Sequence, residues 1–95
     1  MGAEYFSCRA EGKNAREAFK AAQEQAWYDH GHSGYSGTIA EKPGFTLVER
    51  LPGESVEKAM DRLDDSNLVN DKWGNCAALK GDTEGEYIFF GWASS

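Results

Sequence analysis

The stretch that most restricts the fold is Tyr87-Ile88-Phe89-Phe90-Gly91-Trp92, where odd and even positions alike carry large apolar side chains. Side chains of a strand alternate between two faces, so a strand that is apolar throughout has to be covered on both. It therefore belongs at the centre of a sheet or beneath cover on each side. The remaining sequence must supply that cover, and 95 residues permit one core, hence a single domain over residues 1–95. Three tryptophans, four tyrosines and five phenylalanines give such a core large apolar area per side chain.

Upstream, residues 4–10 alternate, with Phe6, Cys8 and Ala10 on one side and Tyr5, Ser7 and Arg9 on the other, the pattern of a half-buried strand. Gly12 ends it. Asn14 and Glu17 resemble a capping box opening a helix over about residues 15–29, whose apolar stripe is Ala15, Ala18, Phe19, Ala22 and Ala26. So many alanines let the helix lie close to its sheet, with Phe19 as main anchor and Gly31 as a natural C-terminal cap. Residues 38–41 are short and β-prone, Lys42-Pro43-Gly44 turns the chain, and residues 45–49 complete a hairpin. A second helix over about residues 54–65 shows the stripe Val56, Ala59, Met60 and Leu63. Alternation returns over residues 73–80, weakened by Gly74 and Asn75, and a turn at 81–85 leads into the last strand. The expected architecture is α+β in the order β-α-β-β-α-β-β, with two helices packed on one face of a mostly antiparallel sheet.

The net charge of −6 argues against direct nucleic-acid binding, which runs on a surplus of Lys and Arg. No apolar run approaches the roughly 18 residues of a membrane span, and the N-terminus lacks the basic start and hydrophobic stretch of a signal peptide. No membrane association is expected, and a cytoplasmic location is. Cys8 and Cys76 are too few for a disulfide framework and lack C-x-x-C spacing, so they read as buried free thiols.

Residues 27–42, W-Y-D-H-G-H-S-G-Y-S-G-T-I-A-E-K, depart from this ordinary background. His30 and His32, with Asp29, could approach one metal ion, but a structural zinc site wants four protein ligands and a catalytic one usually three, and the chain has no further histidine. No metal or other cofactor is expected. Ser33 and Ser36 stand near the histidines without the strand-to-helix elbow of a G-x-S-x-G nucleophile. The glycines follow a helix and precede a strand, which removes the helix N-terminus on which a P-loop holds phosphate. No catalytic residues are assigned. What remains is recognition. Glycines 31, 34 and 37 allow backbone N–H groups to converge on an anion, and His30, His32, Ser33, Tyr35, Ser36 and Thr38 supply donors around them. Lys42 is the nearby cation, and Trp27, Tyr28 or Tyr35 could stack on a base. The expected ligand is an anionic small molecule of nucleotide type. The plainer alternative is a tight crossing from helix to strand with Tyr35 packed inward.

A second feature is the acidic helix. Glu57, Asp61, Asp64 and Asp65 follow at three- and four-residue intervals, and like charges so placed repel by a few tenths of a kcal/mol per pair. A solvated face explains this. A surface offered to a basic region of a host protein is the functional alternative, which would make the chain an inhibitor or adaptor. A small metal-dependent hydrolase is a third class, and exposed aromatic residues would also suit a homo-oligomer.

The words H-G-H-S-G-Y-S-G-T-I-A-E-K, with the alanine-rich helix before them, resemble a group of small uncharacterised proteins of bacteriophages and bacteria. The resemblance covers about residues 14–48 and is strongest at residues 30–42. It brings no known activity. It implies a non-enzymatic host-takeover or anti-defence protein in the host cytoplasm, of the kind that blocks a host protein or sequesters a signalling nucleotide.

Overall fold

The computed structural model describes residues 3–30, 38–64 and 74–94. In chain order these form β1 (Ala3–Glu11), α1 (Ala15–His30), a 3-10 turn (Ile39–Glu41), β2 (Phe45–Val48), α2 (Val56–Asp64), β3 (Cys76–Lys80) and β4 (Glu86–Ser94). The four strands make one sheet in the order β1-β4-β3-β2. The apolar run of residues 87–92 is thus a central strand, with Phe89 and Phe90 fully buried. β4 is antiparallel to both neighbours, with Cys8 opposite Phe89 on one flank and Ala78 opposite Phe89 on the other. The class is α+β, as the sequence indicates, around a mixed sheet.

Two details of the expected order are corrected. Residues 38–41 form no strand. Thr38 is extended (φ −125°, ψ 177°), its Oγ1 accepts from the Ala40 N–H at 3.2 Å, and the chain then winds into the 3-10 turn. The Gln23 side-chain amide donates to the carbonyls of Ile39 (3.2 Å) and Lys42 (2.8 Å), and the Lys42 N–H donates to the Ile39 carbonyl at 3.0 Å, which hold the segment as a turn against α1. Without a hairpin partner, β2 pairs instead with β3, in parallel, with Phe45 opposite Cys76 and Val48 opposite Leu79.

That parallel pair leads to the second correction, because the two helices lie on opposite faces of the sheet. The α1 side collects Phe19, Cys76, Ala78 and Phe89, while the α2 side collects Ala59, Leu63, Ala77, Leu79, Ile88 and Phe90. Neighbouring residues of β3 and β4 alternate between these two sets, as strand geometry requires. The cause is chirality. The pairings make β1, β2 and β3 run one way and β4 the other. The connection from β1 to β2 crosses the sheet from edge to edge, and the one from β2 to β3 comes back. Crossovers between parallel strands keep a right hand, so two that travel in opposite directions must pass over opposite faces.

Local signals start each helix. Asn14 Oδ1 accepts the Glu17 N–H at 2.9 Å, and Glu17 Oε2 accepts the Lys13 N–H at 3.2 Å, a capping box reaching one residue further back than usual. Ser55 Oγ accepts the Lys58 N–H at 3.2 Å and caps α2. Gly12 is required by close approach, since a Cβ there would lie 2.6 Å from the Ala18 nitrogen. On the α1 side, Phe19, Phe45 and Phe89 form a ring triad with centroids 5.1, 5.4 and 5.6 Å apart. Burying each such side chain stabilises the fold by about 1.5–3 kcal/mol. Among the described residues, no helix is long and apolar enough to cross a membrane.

Candidate functional site

The expected ligand loop begins where α1 ends, at His30, and returns to described chain at Thr38. Beside these two points, between the C-terminal half of α1 and β1, lies a cavity of about 240 Å³. Its existence follows from the helix sequence. Phe19 fills the space between α1 and the sheet near the helix start, but one and two turns later the same stripe offers only Ala22 and Ala26. Their methyl groups, with Phe6, Cys8 and Ile39, line the apolar part of the cavity. Gln25, Asp29 and Thr38 supply the polar part, and Ser7 and Arg9, whose side chains belong to the other face of the sheet, border it along the β1 backbone.

Electrostatically the lining is acidic on its helix side. The Arg9 side chain, opposite Ile88, lies on the α2 face of the sheet, 67% exposed and with its Nε 3.6 Å from the Glu86 carboxylate. Asp29 stands on the helix side, near the α1 C-terminus, where the helix dipole already adds negative potential. Cys8 contributes a neutral thiol, because burial pushes its pKa up to about 11. Burial likewise pushes the Cys76 thiol up to about 12, against the opposing effect of the Lys42 ammonium. Both cysteines are free, and neither is a nucleophilic thiolate at neutral pH.

Of the residues singled out from the sequence, Thr38 is at the cavity and also caps the 3-10 turn. His30 is the last residue of α1. His32, Ser33, Tyr35 and Ser36 lie outside the described residues. Lys42, expected as the cation beside the loop, is 4% exposed and donates from Nζ to the Gly74 carbonyl at 3.1 Å. Its position tethers the chain after the 3-10 turn to the entry of β3. Of the aromatic residues offered for stacking, Trp27 is half-buried and Tyr28 is 88% exposed, and Tyr35 lies outside the described residues.

The acidic helix is less uniform in space than in spacing. Glu57 and Asp61 are exposed, with Lys58 and Arg62 exposed beside them. Glu54, just before α2, is tied up in an ion pair with Arg62. It accepts from Arg62 Nε at 2.8 Å, Arg62 Nη2 at 2.9 Å and the Leu51 N–H at 2.9 Å, and these bonds, the Arg62 one foremost, hold its carboxyl down to about 2. Asp64 closes α2, and Asp65 lies outside the described residues. Among the described residues, no group of three or more His, Cys, Asp or Glu side chains is placed to hold a metal ion. Comparison of the chain with protein-family models, curated proteins and solved structures gives no match.

Proposed function

We propose that this chain is a non-enzymatic binding protein whose segment 30–42 takes an anionic ligand of nucleotide type, with the ring of that ligand in the cavity under α1. The observation that carries the reading is positional. Asp29 and Thr38, which flank the glycine-rich segment on either side, both line the cavity, so the segment starts and finishes at its mouth. A volume of about 240 Å³ lies just below the roughly 300–1,000 Å³ of drug-sized ligand sites, which suits one base or similar ring rather than a dinucleotide. The apolar lining from Phe6, Ala22, Ala26 and Ile39 matches a flat ring, and the serines, histidines and glycines of the segment supply donors for a phosphate. The resemblance to small phage and bacterial proteins supports an anti-defence or host-takeover role for such sequestration.

Charge dictates an orientation. The phosphate is directed away from Asp29 and the carbonyl end of α1, which repel it. The test is thermal unfolding with adenosine monophosphate, guanosine monophosphate and inorganic phosphate as probes. A nucleotide should raise the melting temperature, and His32→Ala and Tyr35→Ala should keep the fold but lose the rise. Asp29→Asn should enlarge it. Unfolding that ignores all three probes, or a rise unchanged in both alanine variants, overturns the proposal.

A further inference from the structure

The two edges of the sheet are built differently. β2 is four residues long, and the chain's two prolines, Pro43 and Pro52, stand on either side of it. Short strands and prolines are the usual means by which natural sheets discourage pairing with another chain. β1 has neither. It spans nine residues without a proline, and its outer flank is the other edge of the sheet.

The backbone bonds of β1 can be assigned by parity. The Gly12 N–H donates to the Gly85 carbonyl at 3.0 Å, which continues the register that sets Glu11 opposite Glu86. In an antiparallel ladder, bonded and non-bonded positions alternate, so Ala10, Cys8 and Phe6 bond to β4 while Glu11, Arg9 and Ser7 turn their N–H and C=O groups outward. Phe6, Cys8 and Ala10 point their side chains at α1, yet all three stay only half-buried, because nothing described covers the outer flank.

We infer that β1 pairs antiparallel with β1 of a second copy of this chain, about a two-fold axis through Ser7, to give a continuous eight-stranded sheet. The occupant is a second copy because the strand is complementary to itself. In this register Ser7 faces Ser7, Arg9 faces Tyr5, Glu4 faces Ala10 and Glu11 faces Ala3, so no like charges are opposed. The outward-directed positions 7, 9 and 11 all meet outward-directed positions of the other copy, and a slide to centre on Phe6 or Cys8 shortens the ladder. The proline-flanked β2 edge then ends the assembly at two copies. The cavity under α1 is also completed. It is lined along β1 by Phe6 and Cys8, and the register brings Cys8 and Phe6 of the second copy beside them on the same face. The pairing itself does not rest on the ligand reading, and it is tested without ligand.

Sedimentation equilibrium of the unliganded protein should give twice the 10.5 kDa chain mass. Ser7→Lys sets two ammonium groups opposite each other across the axis while leaving each exposed in the single copy, and Ser7→Pro removes an outward N–H that β4 does not use. Both should halve the mass with far-ultraviolet circular dichroism and cooperative unfolding retained. Hydrogen exchange on the unaltered chain provides a readout independent of any substitution, since the Ser7 and Arg9 amides should be protected at high protein concentration and lose protection on dilution. A single-chain mass throughout the micromolar to millimolar range, a Ser7→Lys variant that keeps the doubled mass, or Ser7 and Arg9 amides that exchange independently of concentration would each overturn the inference.

Discussion

Replacing Phe89 by leucine tests the two-sided core most directly. The ring is fully buried in the central strand and meets Phe19 and Phe45 edge to face, at centroid distances of 5.4 and 5.6 Å and interplanar angles of 63° and 72°. Leucine keeps most of the apolar burial but abolishes both ring contacts. Each such contact adds roughly 0.5–1.5 kcal/mol beyond area, so the expected loss is about 1–3 kcal/mol. In a domain of this size that lowers the melting temperature by about 4–8 °C per kcal/mol. The sharper measurement is a pair of double-mutant cycles by urea unfolding. Phe89→Leu with Phe19→Leu, its neighbour on the α1 side, should be non-additive by about 0.5–1.5 kcal/mol. Phe89→Leu with Leu63→Val, which removes one methylene on the α2 side at a cost of about 0.8 kcal/mol, should be additive to within about 0.5 kcal/mol. Coupling of Phe89 to Leu63 with none to Phe19 would refute the placement of the helices on opposite faces.

Two other perturbations follow from local geometry. Glu54→Gln should change the acid limb of the stability profile. The carboxyl is lowered from 4.5 to about 2 in the fold, so its stabilising effect is full above pH 4.5 and is lost as pH falls to about 2. Wild type and variant should therefore converge in that window when urea midpoints are followed against pH, and a constant difference down to pH 2 would contradict the role of the Arg62 bonds. Gly12→Ala should lower stability by about 1–3 kcal/mol, since the new Cβ would sit 2.6 Å from the Ala18 nitrogen and force the first turn of α1 outward; an unchanged urea midpoint would show that the close approach is not real.

The sequence reveals features whose causes are local. Alternation marks β1, the three- and four-residue stripe marks both helices, Asn14 and Glu17 mark the start of α1, and the uninterrupted apolar run marks the central position of β4. Features decided by distant partners were hidden. Residues 38–41 have strand propensity, but propensity cannot anticipate that Gln23, far back on α1, takes the Ile39 and Lys42 carbonyls. The face chosen by α2 depends on β2 pairing with β3, which no local pattern encodes, and once that pairing is known chirality settles the face. Lys42 shows the same limit at the candidate site. A lysine beside Pro43 and Gly44 reads as a surface cation, whereas its ammonium is received by the Gly74 carbonyl, thirty-two residues further along the chain. The cavity, for its part, is implicit in the alanines of α1, whose small side chains were read as permitting close approach when two of them instead leave room.

The bond from the Gln23 amide to the Ile39 and Lys42 carbonyls has a further consequence for how this protein can vary. It fastens the downstream border of segment 31–37 to the same helix that carries its upstream border, so the two attachment points keep their spacing whatever connects them. A connection of that kind behaves as an exchangeable cassette. Doubling its length costs only about 0.6 kcal/mol in closure entropy. Insertions between those two borders are therefore expected to leave the spacing of the borders unaltered.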